Sequence, residues 1–305
     1  MDLKQLFFGM LSLFLIFFIF TYWFMPFSHT PFKVQGSGNF SIGNESDEMQ
    51  FYSNMRFPEK DISYAIDENC NLQRANNMIR AFEIMEEITP LNFYPSGTGG
   101  PEIEITCDEK SIPTGGGTFV AGEGGPTRII SGENFNIILS GSILLLRDSS
   151  CPRPNIHIHE LLHVLGFDHS ENENNIMYPI SDCSQTIGDD IINKINFLYN
   201  YPPYPDLELK DVSAFMSGRY LSINLSVRNI GLKEANPSKL VIYSDNKAIK
   251  ELDLDAIDIS SAYNLEIRNV WVPDRQPKEL KIKVETNEPE LSLENNQVIL
   301  KGLED

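Results

Sequence analysis

Residues 159–169 read His-Glu-Leu-Leu-His-Val-Leu-Gly-Phe-Asp-His. Histidines four apart on a helix stand on one face, one turn above each other, so His159 and His163 can reach a single ion. His169 follows Gly166, and Gly tolerates the left-handed backbone that lets a chain leave a helix and turn back. Three neutral imidazoles leave one corner of a tetrahedral Zn2+ open to water, as in catalytic rather than structural zinc sites. Glu160, next to the first of them, is placed to take a proton from that water. The plain alternative is a helix with surface histidines. It sits poorly with a chain that has only 5 His and places three of them in this string.

Downstream comes Asn175-Ile176-Met177-Tyr178-Pro179. Together the two stretches resemble the metzincin metalloproteases, whose motif is HExxHxxGxxH followed by a Met-turn. Gly166-Phe-Asp-His-Ser170 and the Met-Tyr-Pro ending are most similar to the matrixin branch. So are Ala81-Phe82 with Thr89-Pro90-Leu91-Asn92-Phe93 upstream, and Asp189-Asp190-Ile191 with Leu198-Tyr199 downstream. The resemblance implies an α+β domain over 58–201, with a twisted mixed sheet, an active-site helix and a Met-turn. It makes Met177 a structural floor and not a ligand. It also implies a peptide or protein substrate bound as an extended strand along an edge strand ahead of the helix. Gly116–Ala121 is the segment expected there. Calcium accompanies the family too, at sites that this sequence does not locate. A further structural zinc would need extra histidines. Only His29 and His157 stand outside the trio, so a second zinc is not expected, and His157 reads as an ordinary side chain at the helix start.

The N-terminus raises the question of compartment. Leu6 to Phe24 is an apolar run broken only by small or interfacial residues, long enough for a bilayer core of about 30 Å. No Ala precedes Ala65, so no Ala-x-Ala cleavage site follows the run, and Pro26 stops a helix there. The expectation is a transmembrane anchor over 1–26 with the bulk of the chain outside; secretion after cleavage is the alternative. Residues 27–57 are Gly-, Ser- and Asn-rich and read as a flexible stalk, with sequons at Asn39 and Asn44. A net charge of −19 argues against nucleic acid as a partner.

After the Pro-rich stretch 201–205 the pattern becomes purely β. Leu221, Ile223, Leu225 and Val227 alternate with polar residues, and further runs lie at 207–212, 239–243, 264–272, 279–285 and 297–300. About seven short strands suggest an all-β immunoglobulin-like sandwich over 206–302. Val284-Glu-Thr-Asn-Glu288 with Glu294-Asn-Asn296 resembles the ending of CARDB-type adhesion-related domains. That implies a domain that spaces, docks or binds a protein or cell-surface partner.

The 4 Cys allow three disulfide connectivities. Cys70 and Cys107 flank the first helix; Cys151 and Cys183 flank the zinc helix and Met-turn. In an oxidising exterior those two pairs are expected. The competing reading makes Cys151 a thiolate cap on the zinc. The sequence thus reads as a membrane-anchored extracellular zinc endopeptidase with Glu160 as general base. The alternatives are a non-catalytic adhesion or docking protein with a vestigial zinc domain, and a zinc hydrolase acting on other bonds.

Overall fold

The computed structural model describes residues 7, 10–18, 29–35, 49–110, 112–115, 118–148, 151–274 and 277–302. Strands dominate, in two bodies of sheet, and no helix among the described residues is long and apolar enough to cross a membrane. This corrects both the fold class led by a transmembrane helix and the single-pass location. Residues 10–18 are helical, but at 1.5 Å per residue they span about 14 Å, half of a bilayer core. The rest of the 6–24 run lies outside the described residues.

The chain's first strand, β1 (His29–Gln35), falls inside the segment expected to be a stalk. Its partners come later. The first body follows with β2 (Met55–Arg56), β3 (Asp61–Ile66), helix α1 (Leu72–Ile88), β4 (Asn92–Pro95) and β5 (Ile103–Cys107). Next come a small hairpin of β6 (Pro113–Gly115) and β7 (Thr118–Phe119), then β8 (Gly122–Ser131) and β9 (Asn136–Leu145). Helices α2 (Asn155–Val164) and α3 (Asp189–Tyr199) complete it. Strands run in the order β2-β9-β5-β3-β4, all parallel, while β8 lies antiparallel along β9. One core joins the sheet (Ile62, Ile103, Ile105, Ile143) to α1 (Met78, Phe82, Met85), α2 (Ile158, Leu161, Leu162) and α3 (Ile191, Ile195).

Helix α1 starts where Asn71 caps it, its side chain accepting the Arg74 N–H at 2.8 Å. Its buried face differs from the one suggested by the apolar spacing of Leu72, Ala75, Ile79, Phe82 and Met85. Leu72 and Ile79 are exposed, and Arg74, Met78, Ala81, Phe82 and Met85 turn inward. Arg74 can be buried because its guanidinium finds partners: Asp148 at 2.9 Å and the carbonyls of Asp108, Leu145 and Leu146. It thereby joins α1 to the ends of β5 and β9. The Cys70–Cys107 disulfide ties the same end, with Cα atoms 5.0 Å apart.

The second body comprises β10 (Leu207–Ser217), β11 (Tyr220–Asn229), β12 (Ser238–Ser244), β13 (Lys247–Leu254), β14 (Ala262–Trp271), β15 (Leu280–Glu285) and β16 (Gln297–Gly302). Asp245 and Asn246 both take positive φ in the two-residue turn between β12 and β13, as a tight hairpin requires. The order is β13-β12-β15-β16-β1-β10-β11-β14. At β1 the sheet folds over: residues 29–31 pair with β10, and 32–35 pair with β16. A single core draws on both halves, with Leu209, Met216 and Ile223 from one and Leu240, Ile282 and Leu300 from the other. So β1 brings to eight the strands of the sheet that the 206–302 pattern foreshadows.

The bodies meet where Phe135, Ile137 and Leu232 form a separate apolar cluster with Tyr201 and Leu291 against it. Glu133, in the β8–β9 turn, pairs with Lys210 and lies 3.7 Å from Arg228.

Arg56 is only 2% exposed and holds the end of α3 to the sheet. It donates to the carbonyls of Leu198, Tyr201, Phe57 and Pro58, and its guanidinium sits 4.2 Å from the Tyr199 ring centre. Met in its place keeps the volume and strands those carbonyls. Arg56→Met should therefore cost about 3 kcal/mol in urea denaturation; a loss below about 1 kcal/mol would contradict the role assigned to Arg56.

Candidate metal centre

Helix α2 carries His159, Glu160 and His163, all buried. It stops at Val164 because Gly166, at φ +94°, turns the chain back; the N–H of Gly166 bonds the His163 carbonyl and that of Phe167 the Leu162 carbonyl. A Cβ at Gly166 would stand 2.7 Å from the Met55 Cβ, so strain and space both require glycine there. Three residues later His169 faces the helix.

The Nε2 atom of His163 lies 3.0 Å from that of His159 and 3.2 Å from that of His169. Each helix histidine is oriented from behind. His159 Nδ1–H donates to the Ile176 carbonyl at 2.6 Å, and His163 Nδ1–H to the Phe167 carbonyl at 2.7 Å. With Nδ1 protonated, Nε2 presents a lone pair. Burial lowers the pKa of His163 and brings that of His159 down to about 4, which keeps both rings neutral at pH 7. Lone pairs this close repel unless a cation lies between them. A tetrahedral zinc with Zn–N of 2.0–2.1 Å sets its nitrogens about 3.3 Å apart. The donor set therefore fits zinc in number, type and spacing.

The turn at 175–178 holds this geometry through its backbone. Ile176 supplies the carbonyl for His159, and Met177 accepts the Ser170 N–H at 2.9 Å, one residue past His169. Met177 is itself buried in the core. Asn175 folds the turn by accepting the Met177 N–H at 2.9 Å. Cys151 and Cys183 form a disulfide between the loop ahead of α2 and the loop after the turn, and no cysteine among the described residues is free to act as a thiolate cap. Asn155, at the start of α2, adds a bond to the Asp182 carbonyl at 2.8 Å.

Glu160 sits beside the trio, 6% exposed. Burial pushes its carboxyl up to about 8, against the pull of the Gly124 backbone N–H, which bonds it. A cleft of about 570 Å3 opens over these groups between residues 120–124 on one side and 179–181 on the other. The strand nearest α2 is β8, which begins at Gly122, so the segment 116–121 ends just ahead of the cleft strand, and its last residues, Val120 and Ala121, line the cleft. Residues 118 and 119 instead belong to β7, and 116–117 lie outside the described residues. Glycine explains the close approach. A Cβ at Gly124 would lie 2.3 Å from the Glu160 carbonyl oxygen, and one at Gly122 would lie 2.8 Å from the Glu160 Cγ.

His157 is fully buried away from the trio, with neither ring nitrogen bonded, and burial lowers its pKa to about 4. One neighbour escapes sequence reading altogether. Phe51 stacks on His163, with ring centres 5.7 Å apart, and its N–H bonds the Gly166 carbonyl. Only the spacing Gly122-x-Gly124 offered a sequence signal for the cleft strand; Phe51 offered none.

The matrixin family model of the M10 peptidases matches residues 147–200, the segment from the loop before α2 to the end of α3. Among solved structures, the CARDB domain of a Pyrococcus furiosus protein, crystallised in complex with di-metal ions, is similar at 16% identity and a TM-score of 0.28. The match covers 32% of this chain and 88% of that one.

Metal and fold should be linked, because an ion held by the three histidines would bind only the assembled trio. Adding Zn2+ to chelator-stripped protein should raise its melting temperature. His163→Ala should abolish the rise, whereas Glu160→Ala should keep it. An equal rise in the His163 variant would place the ion elsewhere.

Proposed function

We propose that the chain is a zinc-dependent endopeptidase. The observation that carries this reading is the convergence of three imidazole lone pairs beside a buried carboxylate at the floor of an open cleft. The matrixin match over this segment supports it.

His159, His163 and His169 would hold the ion, their orientation set by the carbonyls of Ile176 and Phe167. Bound there, zinc supplies Lewis acidity, which polarises a carbonyl and lowers the pKa of water towards 7. The remaining work belongs to the chain. Glu160 accepts the proton of the attacking water on its carboxylate and passes it to the departing amine nitrogen, so no net proton stays on the enzyme. Its burial suits this task, because a carboxyl with raised proton affinity takes and returns a proton near neutral pH. The Gly124 N–H holds the carboxylate in place, and Phe51 covers one face of His163.

The substrate would be an extended peptide. Among the described residues β8 pairs with β9 alone, and it borders the cleft with its Gly122–Gly124 end. An unpaired backbone edge there offers hydrogen bonds to any sequence in strand form, while side pockets select among residues. Pro179, Ile180 and Ile156 give the cleft an apolar part that would favour apolar side chains.

The deciding experiment pairs wild type with Glu160→Gln on an unfolded protein substrate. Both should hold zinc, and the variant should cleave about 10^2–10^4-fold more slowly, the range for loss of a general base. A chelator should stop wild-type cleavage. Zinc in both with no peptide-bond cleavage in either would defeat the reading and favour a docking role.

A further inference from the structure

Asp206 closes the Pro-rich linker and stands at the threshold of β10. It is 0% exposed. The loop between β15 and β16 folds against it: Leu291 N–H bonds the Pro205 carbonyl, and Leu209 N–H bonds the Asn295 carbonyl. This packing brings Asp206 beside Asn295 and Glu290 beside Asn296, with Glu290 itself only half-buried. Asn295 donates its amide to Asp206 Oδ1 at 2.9 Å, and Asn296 donates to Glu290 Oε2. The Asp206 and Glu290 charges feel each other, and Glu208 lies near Asp206.

Each of these side chains keeps an oxygen with no partner. Asp206 Oδ2, Glu290 Oε1, Asn295 Oδ1, Asn296 Oδ1 and Glu208 Oε2 are buried atoms with no hydrogen-bond partner, while the backbone N–H groups of Ser292 and Leu207 attend Asp206 and Glu290, and Glu133 attends Glu208. Asn295 and Asn296 are 1% and 2% exposed, so solvent does not reach them. Asn229 next door shows what a settled buried amide looks like. Its oxygen accepts from Asp206 N and Gly231 N, and its nitrogen donates to the carbonyls of Lys233 and Ile257. No Lys or Arg among the described residues pairs with Asp206 or Glu290 within 4.0 Å. Lys210 and Arg228 attend Glu133, with Lys210 also 3.6 Å from Glu208. Buried carboxylates without a counter-charge are costly, and buried oxygens are normally bonded.

The geometry points to a divalent cation site of the calcium type, formed by Asp206, Glu290, Asn295 and Asn296 with Glu208 beside it. The donors are all oxygen, carboxylate and amide together, the ligand set of a hard cation and not of zinc. A cation there replaces the missing counter-charge and engages the orphan oxygens. It also clamps the 286–296 loop onto the linker, and Leu291 of that loop packs into the cluster where the two bodies meet. The site shares no residue with the histidine centre and stands or falls independently of it.

The test uses the whole chain dialysed against chelator, titrated with Ca2+ by calorimetry and melted with and without it. Wild type should bind Ca2+ and melt higher, since a ligand that binds only the folded state stabilises it. Glu160→Ala should behave identically. The double variant Asp206→Asn with Glu290→Gln should bind at least tenfold more weakly and lose the shift, yet melt in chelator at pH 8 no lower than wild type, because buried like charges are gone. No binding by wild type, or the same shift in the double variant, would overturn the proposal. Wild type alone gives a second reading if that variant does not fold. Burial raises Asp206 to about 6 and Glu290 to about 7, with Glu208 and Glu288 as nearby acids. A raised carboxyl favours folding below its unfolded pKa and loses that contribution as pH climbs through the folded value. In chelator, stability should therefore fall between about pH 5 and pH 8, and Ca2+ should remove the fall. A fall that Ca2+ leaves untouched also overturns the site.

Discussion

Two hydrogen bonds, from His159 Nδ1 to the Ile176 carbonyl and from His163 Nδ1 to the Phe167 carbonyl, set the terms for the first body of the fold. They fix which nitrogen of each ring carries the proton, and so which lone pair faces the shared point. Neither carbonyl belongs to α2 itself. Phe167 reaches its position only because Gly166 takes a left-handed turn, and Ile176 only because the Asn175 turn is pinned between Ser170 and the helix. The Cys151–Cys183 bridge and the Asn155–Asp182 bond hold the two flanking loops at a set separation. Much of the covalent and polar reinforcement of this region thus serves the placement of two backbone oxygens.

The site was legible where its chemistry is local in sequence. His159, Glu160, His163 and His169 lie within one turn-and-a-half of helix and its exit, so spacing alone carries the geometry. The two cysteine pairings, open among three connectivities by count, follow from which segments the sheet and Met-turn bring together. Less local features were harder to read. The apolar spacing of α1 misplaced its inner face because Arg74, nominally a surface residue, is buried by partners contributed from β5, β9 and the loop beyond. The Gly122–Gly125 end of β8 carries no strand pattern, although Thr127–Ile130 further along does. Its glycines are there because the strand lies against the Glu160 backbone, a contact no single-strand pattern encodes. β1 was read as stalk because its partners, β10 and β16, lie far along the chain. The apolar N-terminal run was long enough by hydropathy to cross a bilayer, but the described helix within it is too short.

Burial treats two sets of carboxylates differently. Glu160 keeps a backbone N–H donor and borders an open cleft, so its raised proton affinity can be put to use in passing protons. Asp206 and Glu290 lie beside amides whose oxygens have no partner. The same desolvation that tunes an acid–base group in one place leaves a charge deficit in the other. Composition alone, a net charge of −19, could not have told them apart.

The position of β1 bears on how the two bodies could ever be parted. The chain lays one strand of the second sheet, builds the whole histidine-bearing body, and then returns to lay β10 directly against that first strand. The body is therefore an insert between two paired strands and not a bead on a string. A proteolytic nick in the 201–205 linker leaves it tethered through β1, whose hydrogen bonds to β10 and β16 hold the other end. Shedding it as a free fragment takes two cuts, one on each side of the insert.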